Sequence, residues 1–135
     1  METKTILAFN LSGERLSKLR FCCMKLGMRV QAVPPEKFGQ TLAALCGLAE
    51  ETATMEPVEA TLSGEMVYFA FRDLTAVNRV LTTMKQLRMP PFRLKGVMTD
   101  TNLTWTPVQL YQELMQEHQA LQQGQVRHEA TQEDK

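Results

Sequence analysis

The chain has 135 residues, 44% of them apolar, with 15 basic and 15 acidic side chains. That length supports one domain with its own core, without help from disulfides or metals. The zero net charge argues against a dominant electrostatic partner. No run approaches the roughly eighteen apolar residues of a spanning helix, and the N-terminus shows no basic, apolar and small-residue leader pattern. Three cysteines, two of them adjacent and none in a C-x-x-C spacing, read as reduced thiols, so a cytoplasmic protein is expected.

The charge balance conceals blocks. Residues 1–40 carry seven bases and three acids, 41–65 five glutamates and no base, 66–100 six bases and two acids, and 101–135 two bases and five acids. This alternation suits a charged surface folding back on itself better than a basic footprint for nucleic acid.

The first element is Thr5-Ile-Leu-Ala-Phe-Asn-Leu11, a compact apolar run that reads as a buried strand. Ser12 then caps a helix whose inward stripe is Leu16, Leu19, Cys23 and Leu26, with Gly27 as its stop. Arg29-Val-Gln-Ala-Val33 alternates as a half-exposed strand does, and Pro34-Pro35 opens a helix lined by Phe38, Leu42 and Leu45 up to Gly47. Residues 49–65 form an acidic connector. The pattern then restarts: Met66-Val-Tyr-Phe-Ala-Phe71 is a second apolar strand. Asp73 caps a helix with Val77, Val80, Met84 and Leu87 inward, and 92–98 is an alternating strand.

After a polar loop comes the best specified helix start in the chain. Thr106 is placed to cap, Pro107 suits the first helical position, Gln109 completes a capping box, and Trp105 is placed to staple onto Leu110. The helix runs through Leu121, and residues 122–135 read as a flexible polar tail.

Shifting the chain by 61 positions lays Ile6 on Val67, Ser12 on Asp73, Leu19 on Val80, Cys23 on Met84 and Met28 on Met89. The expectation is therefore one α/β domain, residues 1–121, made of two strand-helix-strand-helix halves, about 5–48 and 66–121. The continuous apolar strands should be central in a four-stranded sheet and the alternating ones at its edges. A mixed, ferredoxin-like α+β sheet is favoured over a fully parallel, doubly wound one.

The second half, Met66–Leu121, carries Leu94, Lys95, Val97 and Thr99, then Thr101-Asn102, then Trp105-Thr106 and a Leu/Glu-rich helix. In these residues it resembles a family of short bacterial and archaeal proteins known as domain of unknown function 3783. The resemblance implies no activity and no catalytic residues.

Three features bear on function. Thr99, Asp100, Thr101 and Asn102, with Trp105 and Thr106, lie between a strand and a helix N-terminus, where free backbone N–H groups favour an anion. The same side chains also suit satisfying the loop's own backbone. Phe21, Met24 and Met28 give the first helix a second apolar face, which calls for a cover: the domain's own last helix or a second copy. Arg15, Lys18, Cys22, Lys25 and Arg29 form a stripe beside the core face, which reads either as a track for RNA phosphates or as a solvated surface.

The cysteines read as packing residues. His118 and His128 have no ligand-spaced neighbours, and Asp100 with Glu113 forms no more of a pair than any polar surface offers. No nucleotide loop or nucleophile elbow is present in the sequence. The reading is a non-enzymatic interaction module, a homo-oligomer or a binder of another protein, with no metal, cofactor, membrane or nucleic-acid partner. The alternatives are a small-ligand sensor or enzyme at Thr99–Asn102, and RNA binding by the basic stripe.

Overall fold

The computed structural model describes residues 4–51, 62 and 64–132, with backbone alone from 122 onward. Most of the connector 52–63 and the end of the tail lie outside the described residues.

Four strands form one sheet: β1 (Thr5–Phe9), β2 (Arg29–Ala32), β3 (Met66–Phe69) and β4 (Lys95–Val97), in the order β2-β1-β3-β4. The β1–β2 and β3–β4 pairs are parallel, and β1–β3 is antiparallel. The sheet is thus mixed, with the two apolar strands central and the two alternating strands at the rims. Each half pairs its own two strands directly instead of interleaving them. The sheet is four-stranded and mixed as expected, within an α+β fold, but its strand order is not the ferredoxin-like one, because the split βαβ of that fold separates the strands here joined.

Alternation along β1 sends Ile6 and Ala8 to one core and Leu7 and Phe9 to the other. The first core is closed by α1 (Gly13–Lys25) and α3 (Leu74–Gln86). The second lies under α2 (Leu42–Leu45) and α4 (Pro107–Gln132). Burial on both faces explains why β1 and β3 read as unbroken apolar runs. Each large side chain so enclosed contributes about 1.5–3 kcal/mol.

The caps are where the sequence places them. The Ser12 side chain accepts from the Arg15 N–H at 3.3 Å, and Asp73 accepts from Thr75 and Ala76 at 3.0 and 3.2 Å. Thr106 Oγ1 accepts from the Gln109 N–H at 3.3 Å. Three elements differ from the sequence reading. The helix expected from Pro34 to Gly47 is two pieces, a 3₁₀ turn at Pro35–Lys37 and α2, because Thr41 starts a fresh cap with its Oγ1 3.1 Å from the Ala44 N–H. Phe38, Leu42 and Leu45 are buried all the same. The strand expected over 92–98 shrinks to three residues, since Phe92 turns into the first core. The backbone of α4 continues to Gln132, past the point where a flexible tail is expected; Gln, Arg, Glu and Ala are adequate helix formers, and Gly124 is the weak position.

The two halves keep the 61-residue register in detail. α1 and α3 have the same length, 13 residues, and their bounds differ by that shift. Each ends with the same backbone closure: Met28 N–H to Cys23 O at 2.7 Å and Met89 N–H to Met84 O at 2.9 Å. Gly27 and Arg88, again 61 apart, both have positive φ, 72° and 56°. Across the central pair, Leu7 faces Tyr68, Ile6 faces Phe69 and Ala8 faces Val67. Under the shift Ile6 is equivalent to Val67 and Ala8 to Phe69, so the two units meet as copies would about a two-fold axis at Leu7 and Tyr68.

The register breaks once. Thr5 pairs with Arg29, 24 residues on, but Val67 pairs with Lys95, 28 residues on. The four additional residues are Pro90, Pro91, Phe92 and Arg93, between the helix stop and β4.

Candidate functional site

The loop from β4 to α4 is held from within. Asn102, 8% exposed, accepts at Oδ1 from the Tyr68 hydroxyl (2.6 Å) and from the Thr99 N–H (2.9 Å). Its Nδ2 donates to the Val97 carbonyl at 2.8 Å, and its own N–H donates to Thr99 Oγ1 at 3.0 Å. A buried amide next to a buried phenol must be satisfied locally, because each unpaired group there would cost about 1–3 kcal/mol. Burial pushes the Tyr68 phenol far above its ordinary pKa, so it acts as a fixed donor. The acceptor capacity of Asn102 is spent inside the loop. Thr101 offers its carbonyl to the Thr104 hydroxyl at 3.0 Å.

The neighbouring residues are equally engaged. The Asp100 carboxylate accepts from Arg72 on the surface, and that hydrogen bond holds its pKa below the usual carboxylate range. Trp105 is partly buried against the second core, which also contains Leu110, and its carbonyl accepts from the Leu42 N–H at 2.8 Å. The segment thus ties β4, α2 and α4 together. Glu113 is on α4.

On α1, Phe21 and Met24 are 47% and 67% exposed, on the side opposite Leu19, whereas Met28 packs partly against the first core. Lys25 Nζ stands 5.5 Å from the Phe21 ring centroid. The basic stripe is not continuous. Cys22 is fully buried, being three residues from Leu19 and four from Leu26 and therefore on their face. Arg15 is drawn into a bidentate pair with Glu65 (2.8 and 2.5 Å), donates to the Pro90 carbonyl (2.9 Å) and lies 4.6 Å over Phe92. Glu51, at the other end of the connector, pairs with Lys37 at 3.1 Å. Two of the acidic side chains do fold back onto basic ones.

The thiols are held protonated. Burial pushes Cys23 up to about 12 and raises Cys22 and Cys46. None is poised as a nucleophile near neutral pH. His118 accepts from Arg93 Nε at 3.2 Å, and His128 lies where only backbone is described. Among the described residues no group of three or more His, Cys, Asp or Glu is arranged to hold a metal, and no helix is long and apolar enough to cross a membrane.

One concavity escaped the sequence reading. A cleft of about 480 Å³ opens at the C-terminal end of α3. Its floor is Leu81, Met84 and Met89, its wall is Pro90-Pro91, and Lys85, Arg88 and Lys95 stand at its edge. The signal was available: the shift that lays Gly27 on position 88 finds an arginine where a helix stop favours glycine, followed at once by two prolines.

Residues 68–121 match the model of a family described as Domain of unknown function (DUF3783). The matched segment runs from β3 into α4 and contains both the Asn102 loop and the cleft. No curated protein and no solved structure matches the chain.

Proposed function

We propose that the protein is a non-enzymatic interaction module that self-associates through the outward face of α1. The supporting observation is the exposure of Phe21 and Met24 on a helix whose other side already fills the first core. Among the described residues nothing of this chain covers that pair, since the described side chains of α4, the alternative cover, pack on the opposite side of the sheet. A second copy is the fitting occupant. Glu14 lies near the start of the helix and Lys25 at its end, so antiparallel pairing of two copies brings each acid toward the partner's base.

Light scattering on the intact protein tests this. A dimer at micromolar concentration, converted to monomer by Met24→Glu with an unchanged Tm, is the expected result. A monomeric wild type at high micromolar concentration overturns it. A ligand over Thr99–Asn102 is the weaker reading, because the Asn102 amide and the Thr99 and Asn102 N–H donors are already engaged. RNA along the α1 stripe is weaker still, with Cys22 buried and Arg15 neutralised by Glu65.

A further inference from the structure

We infer that the cleft at the C-terminal end of α3 is a binding site for an amphipathic organic anion, with its acidic head at Arg88 and its apolar body on Leu81, Met84 and Met89. The volume, about 480 Å³, lies in the range of small-molecule sites, and the surface has their usual make-up: an apolar lining with a few polar groups. All three polar side chains at the edge are cations, and they come from different elements: Lys85 from α3, Arg88 from the turn after it and Lys95 from β4. Neither Lys85 nor Arg88 is ion-paired with a described carboxylate. Lys95 is anchored through a 2.9 Å bond to the Phe92 carbonyl.

Helix electrostatics alone account for Lys85, since a base in the last turn is favoured there. They favour a base at position 88 as well, but they do not account for an arginine in a left-handed turn. That residue holds φ at +56°, a left-handed conformation that glycine adopts freely and a side chain does not. The first unit places Gly27 at the equivalent turn. The second unit instead carries a strained arginine, followed by the four residues that have no counterpart in the first. Pro90 and Pro91 of those four form the cleft wall, and Phe92 is locked into the core beneath Arg15. Both departures from the shared pattern thus converge on one concavity, and one of them places a guanidinium there at a conformational cost. A carboxylate or sulfonate is the partner that a planar guanidinium recognises best, and the floor calls for a hydrocarbon body.

This site is independent of the α1 face. Its test is isothermal titration of the intact protein with decanoate, decanol and acetate, each below any micelle-forming concentration. Decanoate binds, decanol binds about ten-fold more weakly, and acetate does not bind measurably. Arg88→Gly weakens decanoate about ten-fold while the Tm stays the same or rises, and Arg88→Lys, which keeps the charge but not the planar fork, gives a smaller loss, about three-fold. Leu81→Glu abolishes decanoate binding, with some loss of Tm because Leu81 also packs against the first core. No decanoate binding by the wild type, equal binding of decanol, or undiminished binding by Arg88→Gly would each overturn the assignment.

Discussion

The first and second βαβ units share helix length, cap position, stop geometry and strand pairing, yet they part company at three places. Position 7 is leucine and its equivalent, 68, is a hydrogen-bonded tyrosine. Position 27 is glycine and its equivalent, 88, is arginine. The second unit also has Pro90–Arg93, which the first lacks. At these three places the first unit has the simpler version: an apolar contact, a relaxed turn, a direct run into the strand. A fold that closes with the simple version does not need the elaborate one for closure, and so the elaborations mark where function and specificity are to be sought.

The largest difference to break is the polar one. Leu7 and Tyr68 face each other across β1 and β3, but only Tyr68 depends on a partner outside its own unit's strand and helix. Asn102→Ala leaves the buried Tyr68 hydroxyl and the Thr99 N–H without their acceptor, at a cost of about 3 kcal/mol. Tyr68→Phe removes the donor itself and costs about 1 kcal/mol. Urea unfolding of the two variants reads the ordering directly. If Asn102→Ala proves the milder, the loop is relaxed by water and the internal network does not hold it.

The next difference concerns the turn. Gly27 has φ of 72°, and a Cβ built there meets nothing within 4 Å, so the cost of a side chain is conformational and not steric. Gly27→Arg, which copies the second unit's choice into the first, should lower stability by about 1 kcal/mol with no change in oligomeric state or ligand binding. Thermal unfolding measures it. A neutral result would mean that arginine sits in this turn without strain, and would remove the conformational half of the case for Arg88.

Gly96 makes an opposite point. Its φ is not in the left-handed region; instead an added Cβ would lie 3.2 Å from Tyr68 Cδ1 and 3.3 Å from Leu110 Cδ1. Here glycine lets α4 approach the sheet. The equivalent position in the first unit, Gln31, carries a side chain that reaches the Leu45 carbonyl at 3.3 Å.

How much of this the residues announce follows from how local each cause is. Strand burial and helix faces are periodic signals, so Leu19, Cys23, Val80 and Met84 are legible as core, and the capping residues Ser12, Asp73 and Thr106 are legible from side-chain chemistry alone. Cys22 is misassigned by its basic neighbours although its spacing from Leu19 puts it inside. The split of the Pro34–Gly47 helix turns on the competition between Thr41 as a cap and as a helix interior residue, which periodicity does not resolve. The polar loop is legible in its residues but not in its meaning. Asn102 reads as an internal tie before it reads as a ligand donor, and its partner in that tie, Tyr68, lies 34 residues earlier. The cleft is lined entirely within residues 81–95, but it exists only because the end of α3, the turn after it and β4 meet there, which periodicity does not show.

The smallest effect separates two ion pairs that look alike on paper. Arg15–Glu65 ties α1 to the end of the connector with side chains 19% and 27% exposed, whereas Arg72–Asp100 lies within the second half at 51% and 90%. Water screens the second pair, so its thermodynamic weight is slight even though Arg72 lowers the Asp100 pKa. The sign is nonetheless fixed: a carboxyl whose folded pKa is depressed favours folding above its ordinary pKa, and the contribution disappears as the pH falls through the folded value. Carboxyl-detected NMR should find Asp100 titrating below the ordinary carboxylate range, returning to that range in Arg72→Ala or in high salt. The same substitution should leave the Tyr68–Asn102 hydrogen bond and neutral-pH stability almost untouched. A substantial loss of stability at neutral pH would instead mean that this exposed pair helps to hold the loop that Asn102 ties down.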